Sequence, residues 1–125
     1  MRRISKFLQL GVLGCLASAC GPTVISSEVT SRLADPPAWV EIREVQPDAL
    51  DSWTTQELWG VNRSDEPVCA GYRSSGMSWS SFIVPPRTEI RLLGLGNGEI
   101  SGETGLSSLR GRVCSDALMA SIPAN

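Results

Sequence analysis

Beyond residue 37 the chain alternates short apolar runs with clusters of turn residues. Trp39-Val-Glu-Ile-Arg-Glu-Val45 is rich in β-formers and sets Val40 and Ile42 on one face, which predicts a strand. Gln46 to Asp51 interrupts it, with room for a short helical turn. Gln56 to Asn62 predicts a second strand, and the turn cluster Ser64-Asp-Glu-Pro67 separates it from Val68 to Arg73. In that third segment Val68, Ala70 and Tyr72 alternate with Cys69 and Arg73, and the two segments together read as a hairpin. Trp79 to Val84 is a further strand, stopped by Pro85-Pro86. Thr88 to Leu93 places Ile90 and Leu92 inward with Glu89 and Arg91 outward. Asn97-Gly98 carries a hairpin-turn signal, Glu99 to Ser101 is weak, and Arg110 to Ser115 reads as the last strand. Ala117 to Ile122 is expected to pack as a terminal turn.

Six or seven short strands with little helix predict an all-β fold, a small antiparallel sandwich of immunoglobulin-like architecture over residues 38–122. A small β-barrel is the alternative. Residues 20–37 mix Gly, Pro, Ser and Thr with scattered Val24, Ile25, Val29 and Leu33. They read as a tether with one helical turn near Ser27 to Leu33, closed by Pro36-Pro37.

The N-terminus follows a different pattern. Arg2, Arg3 and Lys6 precede an uncharged run from Phe7 to Ala19. The run is too short to span the ~30 Å hydrocarbon core as a helix, and the basic start and small terminal residues mark a secretory signal. Ala17-Ser-Ala19 followed by Cys20 resembles the lipobox of bacterial lipoproteins, departing from its commonest form at Ala17, where leucine is usual. Val12-Leu-Gly-Cys15 is a rival with a shorter apolar run, and Cys20 is preferred. The resemblance covers residues 1–21 only. It implies a signal peptide over residues 1–19, a multiply acylated Cys20 as the first mature residue and a firm membrane anchor. Gly21, where aspartate favours inner-membrane retention in the enteric sorting rule, points to the periplasmic face of the outer membrane.

Cysteine bookkeeping agrees with that resemblance. Of four cysteines, Cys15 leaves with the signal and Cys20 takes the lipid, so Cys69 and Cys114 form an even pair for one disulfide in an oxidising compartment. The bridge closes a loop of 46 residues, for which the chain-entropy model gives ~4 kcal/mol. The pattern leaves open whether it staples two sheets or pins the C-terminal strand.

Charge and composition then exclude functions. Removing residues 1–19 leaves 106 residues with 8 basic and 13 acidic side chains, a charge of −5 and no lysine. Such a domain is a poor nucleic-acid binder. The chain contains no histidine, which removes the commonest general base and metal ligand and every Ser-His-Asp or Cys-His arrangement. Cys69 and Cys114 lack the partners of a closed zinc site, so neither metal nor cofactor is expected. The carboxylate pairs Glu41 with Glu44, Asp48 with Asp51 and Asp65 with Glu66 lie on strand edges or in turns and read as solvated acids. Gly94 to Gly98 lacks the Lys-Ser/Thr of a phosphate loop and reads as a hairpin turn, and Asn62-Arg-Ser64 matches a glycosylation acceptor without meaning behind a bacterial signal.

Four tryptophans are many for this length. Trp59 alternates with Val61 and reads as core, whereas Trp53 and Trp79 sit in Ser/Thr frames typical of contact patches. The leading expectation is therefore a non-enzymatic, membrane-anchored binding or structural module of the cell envelope. Its partner would be an envelope protein or cell-wall component met through a sheet edge or a Trp53/Trp79 patch. An inhibitor of a hydrolase such as lysozyme or a protease, and a histidine-free carbohydrate-active protein, are the alternatives.

Overall fold

A computed structural model describes residues 22–48, 50, 52–94 and 99–122. Among these, seven strands precede one short helix: β1 (Thr23–Leu33), β2 (Ala38–Gln46), β3 (Thr55–Asn62), β4 (Val68–Arg73), β5 (Ser80–Val84), β6 (Thr88–Gly94), β7 (Glu103–Ser108) and α1 (Asp116–Ala120). They form two antiparallel sheets, a four-stranded sheet ordered β1-β2-β3-β6 and a three-stranded sheet ordered β5-β4-β7. The two are not closed into a barrel. Four strands facing three match the layer count of an immunoglobulin constant domain, but the order differs, because here the first three strands form a meander within one sheet.

Alternation builds the core between the sheets. Ala38, Val40, Leu58 and Leu92 of the larger sheet meet Val68, Ala70, Val84 and Leu106, all nearly or fully buried. Gly60 sits where a Cβ would come within 2.9 Å of a Val84 methyl, so glycine sets the sheet spacing there. A second, smaller cluster lies on the outer face of the three-stranded sheet. Cys69 packs there with Leu118 and Met119, flanked by Trp79, Leu109 and Ile122. The paired glycines Gly71 and Gly105 make a dent that Met119 fills, 2.8–2.9 Å from where their Cβ atoms would stand. Ser115 caps α1 by accepting from Leu118 N–H, and Asp116 places a negative charge in its first turn.

The two ends of the sandwich differ. At one end, called proximal because β1 starts there, lie Thr23, Gln46, Thr55 and Gly94 of the larger sheet with Arg73, Ser80 and Glu103 of the smaller. The sheets are joined at this end by Tyr72 Oη donating to Ser101 O at 2.7 Å and by Ile100 N–H donating to the Gln56 side chain. At the distal end Asn62 is fully buried, and its amide donates to Glu66, Val84 and Pro85 carbonyls while its oxygen accepts from Ser64 N–H and Oγ.

Three sequence expectations are corrected. Residues 23–33 are not tether but strand β1, nine of whose residues pair with β2, and Pro36-Pro37 lie in the β1–β2 turn, with Pro36 buried. The predicted hairpin of β3 with β4 does not form: β3 pairs with β2 and β6 and β4 with β5 and β7, so residues 63–67 carry the chain from one sheet to the other. Arg110 to Ser115 is not a strand. The last strand is β7, and a turn at Leu109–Arg112, closed by Arg112 N–H on Leu109 O with Gly111 at φ 81°, leads into α1. The proposed lipobox and Cys20 lie outside the described residues, as does the Asn97-Gly98 turn signal.

Candidate ligand groove at the sheet seam

β1 and β7 are edge strands of different sheets, and they close one side of the sandwich through side chains alone. Thr104 Oγ1 lies 2.7 Å from Thr30 Oγ1 and 2.8 Å from Ser31 Oγ. Beside this hydroxyl seam opens a groove of about 380 Å³. Its floor is β7, its far wall is Met119, Ala120 and Ile122 from the C-terminal helix and the residues after it, and its rim carries Arg32, Arg73, Trp79 and Glu103.

Each of these side chains is placed by the fold. Arg73 is the last residue of β4 and points outward, opposite Glu103 in register. Its Nε pairs with the Glu103 carboxylate, and its guanidinium stacks 5.0 Å from the Trp79 ring centroid. Trp79 in turn lies on the Gly71/Gly105 dent, with ring atoms 3.5 Å from where a Gly105 Cβ would stand. Gly102, at φ 137°, is required here, because a Cβ would strike the Arg73 carbonyl at 2.2 Å. The rim thus offers an aromatic surface, guanidinium donors, hydroxyls and a single carboxylate, Glu103, among the described residues.

Trp53 and Trp79, expected as a patch, are not brought together. Trp53 stands before β3 at the proximal end of the larger sheet and is 47% exposed, whereas Trp79 is half-buried on the smaller sheet. Trp59 does not join the core either. It lies on the outer face of the larger sheet, where Arg43 stacks over it at 4.4 Å and its Nε1 donates to Glu57 at 2.9 Å. That face is a lattice of matched groups: Arg43 also pairs with Glu41 and Glu89, Trp39 Nε1 donates to Glu41 at 2.7 Å, and Arg91 pairs with Glu57. Burial works against the Arg43 charge, but hydrogen bonds to Glu41 and Glu89 and their charges outweigh it and hold the guanidinium above its ordinary value.

Cys69 and Cys114 are bonded, with Cα atoms 5.2 Å apart. The bridge staples neither the two sheets nor a last strand. It fastens the segment preceding α1 to the outer face of β4, and so fixes the wall of the groove. Sequence reasoning missed Arg73, Glu103 and Thr104 as site residues. Arg73 and Glu103 carried no motif, and β7 itself was placed too late in the chain. No protein family, no curated protein and no solved structure matches this chain.

Proposed function

We propose that the protein is a lipid-anchored module of a bacterial cell envelope that binds a polyhydroxylated ligand, such as a cell-wall glycan, in the β1/β7 groove without hydrolysing it. The observation that carries this reading is the Trp79 ring with the Arg73 guanidinium stacked on it, beside the Thr30/Thr104 hydroxyls around an open groove. Sugars stack their apolar faces on aromatic rings and hydrogen-bond through their rims, and pockets that bind them combine these two elements. Hydrolysis by the usual route needs two carboxylates flanking the bond, about 5–10 Å apart. Glu103 stands on the groove already neutralised by Arg73. The membrane address rests on the lipobox resemblance at Cys20, and the disulfide agrees with an oxidising compartment.

Titration with β-1,4-linked N-acetylglucosamine oligomers, followed by amide NMR, tests the groove. Shifts at Thr30, Arg73 and Thr104 that disappear in Arg73→Gln, with the oligomers recovered intact, are expected. Shifts elsewhere, or none at millimolar ligand, would remove the reading.

A further inference from the structure

Six large apolar side chains among the described residues stand exposed: Ile25, Leu50, Trp53, Met77, Ile83 and Val113. Four of them occupy one end of the sandwich. Ile25 is near the start of β1, Leu50 (93% exposed) and Trp53 lie in the β2–β3 connection, and Met77 (62% exposed) lies in the β4–β5 turn. These connections all open at the proximal end, where Thr23, Gln46 and Thr55 are in register and where β4 passes to β5. The distal end carries most of the ion pairs, and the proximal end has Arg73 with Glu103 beside its apolar residues. Arg110 bridges Asp35 and Glu66 at 2.9 and 3.1 Å, Arg87 pairs with Asp65 at 2.9 Å, and Arg63 pairs with Glu89.

Only Gly21 and Pro22 separate Cys20 from β1. Three residue steps reach about 10 Å at full extension, so an acylated Cys20 holds the proximal end within that distance of the lipid surface. The eleven residues of β1 are committed to the sheet and cannot lift the domain away. Exposed Trp and aliphatic side chains partition into the headgroup boundary of a bilayer, where an indole keeps its apolar ring and its N–H both satisfied.

From this we infer that the proximal end is a second membrane contact: Leu50, Trp53, Met77 and Ile25 dip into the lipid interface beside the acylated cysteine, and the sandwich stands on the membrane with β1 running away from it. The contact is apolar. The nearby Asp48 and Glu99 favour zwitterionic over anionic headgroups, and high salt leaves the contact in place. This inference rests on the lipid anchor of the proposed function.

The test uses the mature lipoprotein reconstituted in phosphatidylcholine vesicles whose acyl chains carry bromine, a short-range quencher of tryptophan. Intact mass of the same sample reports acylation. The expected result is quenching that falls by more than half in Trp53→Phe and stays unchanged in Trp59→Phe. Leu50→Ser, which keeps the Trp53 reporter, reduces the quenching as well. An acylated protein whose quenching is the same with and without Trp53, or absent, overturns the contact and leaves the anchor standing. An unacylated N-terminus overturns the anchor, and the inference falls with it.

Discussion

Asn62 shows how much a single buried amide decides. It is inaccessible to solvent, and all its hydrogen-bonding groups are matched, so it ties the end of β3 to the ends of β4 and β5 where the chain changes sheets. Asn62→Ala leaves the Glu66, Val84 and Pro85 carbonyls and the Ser64 N–H short of a partner, and should cost about 2–4 kcal/mol in denaturant unfolding. Its role could not be read from the sequence, because Asn62-Arg-Ser64 looks like an ordinary turn until Val84 is known to be adjacent. Asp65 is the ionic counterpart. A hydrogen bond from Arg87, and then its charge, hold the carboxyl below its ordinary value. A carboxylate with a lowered folded-state pKa adds stability that is present above the unfolded pKa and is lost as pH falls through the folded one. An NMR titration should therefore place the Asp65 midpoint below that of a free aspartate, and Arg87→Gln should return it. Both groups are fully exposed, so the melting temperature should hardly change.

Among the elements, the strands with clean alternation were legible and the edge strands were not. β2, β3 and β6 turn one face to the core and β4 is covered on both, and the period of two in all four is visible in the sequence. β1 is an edge with polar residues on both sides, Ser26, Ser27, Glu28, Thr30 and Ser31, and its pairing with β2 is interrupted twice by bulges. Nothing in its composition distinguishes it from a spacer. β7 was missed because Gly105 and its small neighbours exist to receive Met119, which removes the bulky residues that mark a strand. The Arg110 to Ser115 segment carries Val113 and Cys114 between charged residues and imitates alternation, but Val113 is 78% exposed. The disulfide and α1 act as one element. Five residues of helix cannot hold themselves, so the bridge and the Met119 seat keep α1 on the sheet. Cys114→Ser should cost about 3–4 kcal/mol by the loop-closure argument, and Met119→Ala about 2–4 kcal/mol for the cavity it opens. In hydrogen exchange, both variants should release residues 109–122 before the strands, while the seven-stranded core keeps its protection.

For the whole molecule, the sandwich class followed from periodicity, whereas its polarity did not. Only the register of the strands places Ile25, Leu50, Trp53 and Met77 at one end and the Arg110, Arg87 and Arg63 ion pairs at the other. In the candidate site, the serine frame of Trp79 singled out a residue that lines the groove, while Arg73, Thr30 and Thr104 carried no such signal, since they meet only because two edge strands from different sheets converge. Both the membrane orientation and the use of the groove in an envelope depend on a lipid at Cys20. The decisive measurement is intact mass of the detergent-extracted mature protein. The predicted result is an N-terminus at Cys20 whose residue carries the mass of more than one fatty acyl group. A mature N-terminus at any other residue, or a Cys20 without acyl mass, would contradict it.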